Sequence, residues 1–159
     1  MILVTLGTFN IEFQRPLRAI EKAVIEKKVT EKIIVQRGHT NFSSEYLEVV
    51  QFFAPAELDK LYDEARIVVV HSGIGSVLSG VRKGKKLIVV PRLKKYKEHV
   101  DDHQLDLLNE FARSGYIIPW NENETFEDVL AKAENFVPKP FVSTKEKLVG
   151  ALIDYIEKI

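Results

Sequence analysis

The chain has 159 residues, the length of one ordinary domain, and its 23 basic residues balance 23 acidic ones to a formal net charge of zero. That balance argues against a general nucleic-acid binder, and the lack of any cysteine excludes disulfides, zinc–thiolate sites and thiol catalysis. No apolar run reaches the roughly 20 residues that span a bilayer, and the opening "MILVTLGT" has neither the basic region nor the cleavage site of a secretion signal, so a cytoplasmic location is expected.

Residues 2–6, "ILVTL", form an apolar strand that stops at Gly7. Leu17, Ile20, Ala23, Val24 and Ile25 recur at helical spacing and predict an amphipathic helix over 14–28, with Pro16 tolerated in its first turn. "KIIVQ" (32–36) is a second strand, followed by a loop over 38–46. "EVVQFF" (48–53) is a third strand, and Pro55 opens a helix to about 64. "RIVVV" (66–70), a helix over 75–83, and "KLIVV" (86–90) come next. After a polar loop at 91–99, a helix is predicted over 100–113, ended by Gly115, and then a short strand "YIIP" (116–119). Helices are predicted at 125–134 and 143–158, so the tail beyond about 124 is helical.

Strands alternate with helices, and the strands are unbroken apolar runs. That pattern belongs to a parallel sheet with helices on both faces, an α/β, Rossmann-like domain spanning 1–159. Ligands of such sheets sit beyond the carboxyl ends of the strands. The rule points to the loops 7–13, 37–44, 71–76 and 91–104.

The most informative loop is "HSGIGS", residues 71–76, between a buried strand and a helix. Gly73 and Gly75 would let an oxygen reach backbone amides with no Cβ in the way, and Ser72 and Ser76 would add hydroxyls. A phosphate or diphosphate suits that arrangement. The alternative is a plain tight turn with Ser76 as helix cap. The loop matches neither a Walker motif nor the GxGxxG dinucleotide fingerprint, and Lys94 and Lys95 stand where a ribose-binding acid would be sought. His71 ends the strand, where it would donate to a phosphate or sugar hydroxyl, or bond a neighbouring carbonyl. Gly7 and Thr8 repeat the logic on the first strand. Arg92, Lys94, Lys95 and Lys97 form a basic run on a ligand-side loop, either solvated or facing an anionic surface or partner. Asp101 or Asp102 would cap the following helix, and a carboxylate here together with an amide would suit sugar hydroxyls.

"VVVHSGIGSVLSGVRKGKKLIVVP" followed by "DDHQLDLLNEFARSGYI" resembles the C-terminal, donor-binding half of GT-B glycosyltransferases, of the family 28 C-terminal type. "LVTLGTFNIEFQRPLRAIE" and "VQRGHT" extend the resemblance over about residues 1–118. The resemblance implies a UDP-sugar donor, with Gly7, Thr8, His71, Ser72, Gly73, Gly75 and Ser76 on the diphosphate and the backbone of Phe53 and Ala54 on the uracil. It also implies Asp101 and Gln104 near the donor sugar. Ser79 stands where larger relatives carry an acidic ribose contact. The implied reaction is inverting transfer of a hexosyl group without cofactor or metal.

Stand-alone domains of this type serve two-part transferases of dolichol-diphosphate glycan, capsule or exopolysaccharide synthesis. The family's base and acceptor site belong to the other half. A membrane-anchored partner subunit and a polyprenyl-diphosphate-linked acceptor are therefore expected, with this chain peripheral at the membrane face. His39, on a ligand-side loop, is the candidate base on this chain. A homodimeric transferase and a non-catalytic nucleotide-binding module are the alternatives. No nucleic-acid partner is expected.

Overall fold

A strand covered on both faces has no reason to alternate polar with apolar residues, and the unbroken apolar runs do become the strands of one sheet. The computed structural model describes residues 1–140 and 152–158. The strands are β1 (Ile2–Thr5), β2 (Ile33–Gln36), β3 (Glu48–Val50), β4 (Ile67–His71), β5 (Lys86–Val90) and β6 (Ile118–Pro119). They lie in the order β3-β2-β1-β4-β5-β6, and every pairing is parallel. Ile2 pairs with Ile33 on one side and Ile67 on the other. The order reverses between β1 and β4. Chain leaving β1 and chain leaving β4 diverge there, and a crevice opens at the carboxyl edge.

Five helices cover the sheet: α1 (Gln14–Ile25), α2 (Pro55–Glu64), α3 (Ile74–Arg82), α4 (His103–Arg113) and α5 (Phe126–Asn135). Residues 152–157 are also helical. Successive strand residues point to opposite faces, which splits the core in two. Ile2, Val4, Ile67, Val69, Ile88 and Val90 pack with Leu17 and Ile20 of α1 and Val129 and Ala133 of α5. Leu3, Val68, Val70, Leu87 and Val89 pack with Tyr62 of α2, Val77 and Val81 of α3, and Leu107 and Phe111 of α4. Each large aliphatic side chain fully buried this way contributes about 1.5–3 kcal/mol.

Helix ends follow local chemistry. The Thr125 hydroxyl accepts the Asp128 amide at 3.2 Å while the Asp128 carboxylate accepts the Thr125 amide at 3.1 Å, a reciprocal cap for α5. The start of α1 has no side-chain cap of its own. The buried Thr40 hydroxyl accepts the Phe13 amide at 3.0 Å instead, tying the loop after β2 to that helix.

Four predicted elements are shorter by two or three residues in the structure. α1 ends at Ile25 rather than 28, where Lys27 turns left-handed with φ of 59°. β3 ends at Val50 rather than 53, because the chain turns so that the Phe53 amide donates to Gln36 Oε1 at 2.8 Å. α4 begins at His103 rather than 100, since Glu98, Asp101 and Asp102 are taken up by loop hydrogen bonds. β6 begins at Ile118, because the Tyr116 amide still closes the end of α4 on the Phe111 carbonyl. The first part of the helix predicted over 143–158 lies outside the described residues. Among the described residues no helix is long and apolar enough to cross a membrane.

Candidate functional site

Three strands end on a polar residue: Thr5 on β1, Gln36 on β2 and His71 on β4. All three line an open cleft of about 830 Å³ at the carboxyl edge of the sheet. Gly7 to Asn10, Leu58 and Tyr62 of α2, residues Gly73, Gly75, Ser76 and Ser79, and His99 and Gln104 complete its walls.

The glycines of this cleft are glycines for different reasons. A Cβ on Gly7 would lie 2.2 Å from His71 Nε2, and a Cβ on Gly73 would lie 2.2 Å from His71 Cε1. The imidazole fills a slot between the two loops, and a side chain on either loop would collide with it. Gly7 also has φ of +73°, a conformation that glycine adopts at no steric cost. Gly75 has no atom within 4 Å of where its Cβ would be. Its missing side chain leaves open space over the start of α3.

His71 is 8% exposed. Burial, and then the neighbouring Arg92 and His99, push it down to about 4, so the ring is neutral at physiological pH. Its Nδ1 is buried with no hydrogen-bond partner among the described residues. A buried nitrogen left unpaired is costly, and Nδ1 is closed to solvent, so the ring meets the cleft through its Nε2 edge.

The start of α3 is open to an anion. Gly73 is its N-cap, no side chain caps it, and no acidic residue lies in its first turn. The first amides of a helix lack intrahelical acceptors and carry the positive end of its dipole. Ser76 is therefore not the cap that its position suggests. It lies three residues inside the helix, and its carbonyl accepts the Tyr62 hydroxyl at 3.4 Å. Tyr62 also meets Thr5 Oγ1 at 3.5 Å, and burial raises its phenol above the usual range.

The opposite wall is held by buried charge. Arg15 of α1 grips the Glu98 carboxylate through two bonds, Nε to Oε2 at 3.0 Å and Nη2 to Oε1 at 2.9 Å, and also bonds the Pro91 carbonyl at 2.7 Å. Glu98 is buried and accepts the Leu93 amide as well. Arg92 is fully buried, in contrast to the solvated loop arginine that the basic run suggests. Its Nη1 donates to the carbonyls of Ile11 at 2.6 Å and Glu98 at 3.2 Å, and its guanidinium stacks on Phe13 and Phe9. Lys94, Lys95 and Lys97 are exposed as expected, Lys95 paired with Glu122 at 2.7 Å.

Of the residues singled out in the sequence, the cleft brings together Gly7, Thr8, His71, Gly73, Gly75, Ser76, Ser79 and Gln104. Ser72 lies beneath it, 2% exposed, its hydroxyl donated to the Gln104 carbonyl at 2.7 Å. That bond fastens the glycine loop to α4. Gln104 Oε1 accepts the Arg92 amide at 3.1 Å. Ser79 Oγ donates back to the Gly75 carbonyl at 3.0 Å. Phe53 and Ala54 sit beside the cleft rather than in its lining, with the Phe53 amide already donated to Gln36.

Asp101 also lies off the lining. Its Oδ1 accepts the His103 amide at 3.0 Å, from one residue before the N-cap Asp102, and His99 stands 3.2 Å away. These partners hold its carboxyl below the usual carboxylate range, the His103 amide foremost. His39 is exposed on the loop after β2, edge-on to Phe52, and does not line the cleft.

Sequence reasoning missed Thr5, Phe9, Asn10, Gln36, Leu58, Tyr62 and His99 in this lining. For Gln36 a signal was present: like His71, it is the polar residue that closes an apolar run, whereas Thr5 is followed by the apolar Leu6.

The model of the glycosyltransferase family 28 C-terminal domain matches residues 1–152 of this sequence. The chain belongs to that family. It is 25% identical over 83 residues to the UDP-N-acetylglucosamine transferase subunit ALG13 of Candida albicans (strain SC5314 / ATCC MYA-2876), a match covering 52% of this chain and 27% of that protein. The match thus spans about a quarter of that relative's length. The NMR solution structure of ALG13 superposes with a TM-score of 0.59 at 20% identity, covering 89% of each chain. The crystal structure of the glycotransferase of kitacinnamycin superposes with a TM-score of 0.58 at 15% identity, covering 84% of this chain and 34% of that one. These family 28 C-terminal domain residues share the fold of both structures.

Proposed function

We propose that this chain is the donor-binding subunit of a two-part, inverting glycosyltransferase that uses a UDP-sugar. The observation that carries the reading is the cleft at the strand-order reversal, where an uncapped α3 start and the open space over Gly75 meet in a family 28 C-terminal domain. The name of the Candida relative, a UDP-N-acetylglucosamine transferase subunit, supports both the nucleotide and the divided enzyme.

In this reading the diphosphate rests between Gly7–Thr8 and the first amides of α3. An acceptor hydroxyl attacks the anomeric carbon as the bond to the diphosphate breaks, and configuration inverts. Negative charge grows on the leaving UDP, where preorganised amides and the helix dipole stabilise it without reorganising. Neutral His71 offers a hydrogen bond to the diphosphate or sugar. Ser79 takes the ribose side and Gln104 the sugar side, while Phe53 and Ala54 flank the base. The reading calls on no cofactor or metal.

The proton of the acceptor passes to a base on a partner subunit, since His39 does not line this cleft. That partner is membrane-anchored and carries a polyprenyl-diphosphate-linked acceptor, in capsule, exopolysaccharide or related glycan synthesis. This chain joins the membrane face through it.

The position of Asp101 off the cleft lining favours a second reading, a nucleotide-binding module without transfer. Calorimetry with UDP, ADP and a panel of UDP-sugars separates the two. The transferase reading predicts that UDP outcompetes ADP and that one UDP-sugar binds more tightly than UDP, with transfer appearing only when the partner is added. Equal affinity for all ligands and no transfer with the partner would contradict it.

A further inference from the structure

Among the described residues three buried side-chain polar atoms lack a hydrogen-bond partner: His71 Nδ1, Arg92 Nε and Glu124 Oε2. The first belongs to the cleft. The second lies directly behind its wall, on a side chain that is 1% exposed.

Arg92 touches the cleft in several ways. Its amide holds Gln104 Oε1 at 3.1 Å. Its guanidinium carbon sits 5.2 Å from the ring of Phe9 and 4.6 Å from that of Phe13, and Nη1 bonds the Ile11 carbonyl at 2.6 Å. The loop after β1 and the loop after β5, which form facing parts of the lining, are thus joined through one side chain. Among the described residues it makes no ion pair, although Glu98 and Glu12 favour its charge through space. The nearest buried carboxylate, Glu98, is held by both Arg15 bonds, and Arg92 meets only the Glu98 backbone carbonyl. Burial pushes the guanidinium down to about 10, with Glu98 and Glu12 pulling the other way, so it stays protonated at neutral pH.

We infer that Arg92 is a positioning residue for an anion in the cleft: it locks the two loops in register and supplies a fixed, buried positive charge behind them. A desolvated cation acts over a longer range than an exposed one, because little water screens it. A structural staple alone would need only the bonds to the carbonyls and rings. The charge adds a second effect that reaches His71. Arg92 and His99 are the titratable groups that act on that ring, and both oppose its protonation. The flanking Gly7 and Gly73 carry no charge. Arg92 therefore adds to the burial that keeps His71 neutral, while favouring a negatively charged ligand beside it.

The inference rests on the donor-site reading, and NMR on the whole chain distinguishes their failures. In the wild type, UDP or inorganic pyrophosphate is expected to shift the Arg92 Nε–H resonance together with the amides of Gly73 to Ser76, while Arg66, bonded to Glu31 before β4, stays put. Arg92→Met is expected to weaken UDP roughly tenfold and to move the His71 titration upward, short of the ordinary value because burial remains. Arg92→Lys keeps the charge and is expected to restore the low His71 titration and most of the affinity. If Arg92→Met does not fold, the wild-type resonance and Arg92→Lys decide. Loop amides that shift while Arg92 does not would overturn the inference and spare the donor site. So would an Arg92→Lys loss of affinity as large as that of Arg92→Met, which marks a purely structural staple. No response to UDP anywhere would remove the donor-site reading and this inference with it.

Discussion

Gly73 precedes α3 and Gly75 stands two residues on, in its first turn, yet their missing side chains serve opposite ends. At Gly73, as at Gly7, the space is full: the His71 ring occupies it at 2.2 Å. At Gly75 the space is empty. One kind of glycine builds the wall of the cleft, and the other leaves room for what enters it. The same sequence signal, a glycine in a strand-to-helix turn, therefore carries a packing cause in one place and a binding cause in the other.

The largest expected effect tests the crowded side. Gly7→Ala forces a positive φ on a residue with a Cβ and drives that Cβ into His71, at a cost of about 4 kcal/mol to folding. Urea unfolding measures it, and a cost below about 1 kcal/mol would mean that the ring does not occupy the slot.

Gly75→Asp tests the open side. Nothing crowds the new side chain, and an acid near a helix start is tolerated, so the melting temperature should hold. UDP affinity should fall at least roughly a hundredfold, about 3 kcal/mol, from charge repulsion and lost space. A variant that binds UDP normally would assign Gly75 to the turn alone.

The third effect concerns the ring between the glycines. His71 is held near pKa 4 when folded, against 6.5 as its ordinary value. Between pH 7 and 5 the unfolded chain takes up a proton that the native state refuses, so stability must fall as pH falls, by about 2 kcal/mol. Denaturation of wild type and His71→Asn across this window should show that component in the wild type only. A matching slope in the variant would place its origin elsewhere. The smallest effect is expected at Ser79→Ala. The hydroxyl bonds its own helix at the Gly75 carbonyl, so stability should change by less than about 0.5 kcal/mol. UDP affinity should fall about threefold, and an unchanged value would remove Ser79 from the ribose.

The architecture was legible because a buried parallel strand has to be apolar along its whole length. "VVV" before His71 and "KLIVV" before Pro91 could not be half-exposed strands. The alternation of these runs with helical patterns then led to the doubly wound sheet, and three of the four loops that the carboxyl-edge rule named line the cleft, the loop 37–44 contributing no residue to it. What escaped was tertiary. No local pattern tells that the His71 ring lies against Gly7, which is 64 positions earlier. Arg92 looked like a member of a basic loop run, although Ile11, Phe9 and Phe13 enclose it. Ser76 looked like a cap because Gly73, the true cap, offers no side chain to notice. Gln36 and Tyr62 sat within regular elements, where polar residues are easily counted as outward-facing.

The account turns on where a nucleoside diphosphate would lie. A crystal structure of the chain with UDP tests that directly. The account predicts diphosphate oxygens between the Gly7–Thr8 backbone and the first amides of α3, above Gly75, with His71 Nε2 within hydrogen-bonding distance of the ligand. Diphosphate bound elsewhere on the surface, with this cleft filled by rearranged side chains, would contradict it and leave only the family fold.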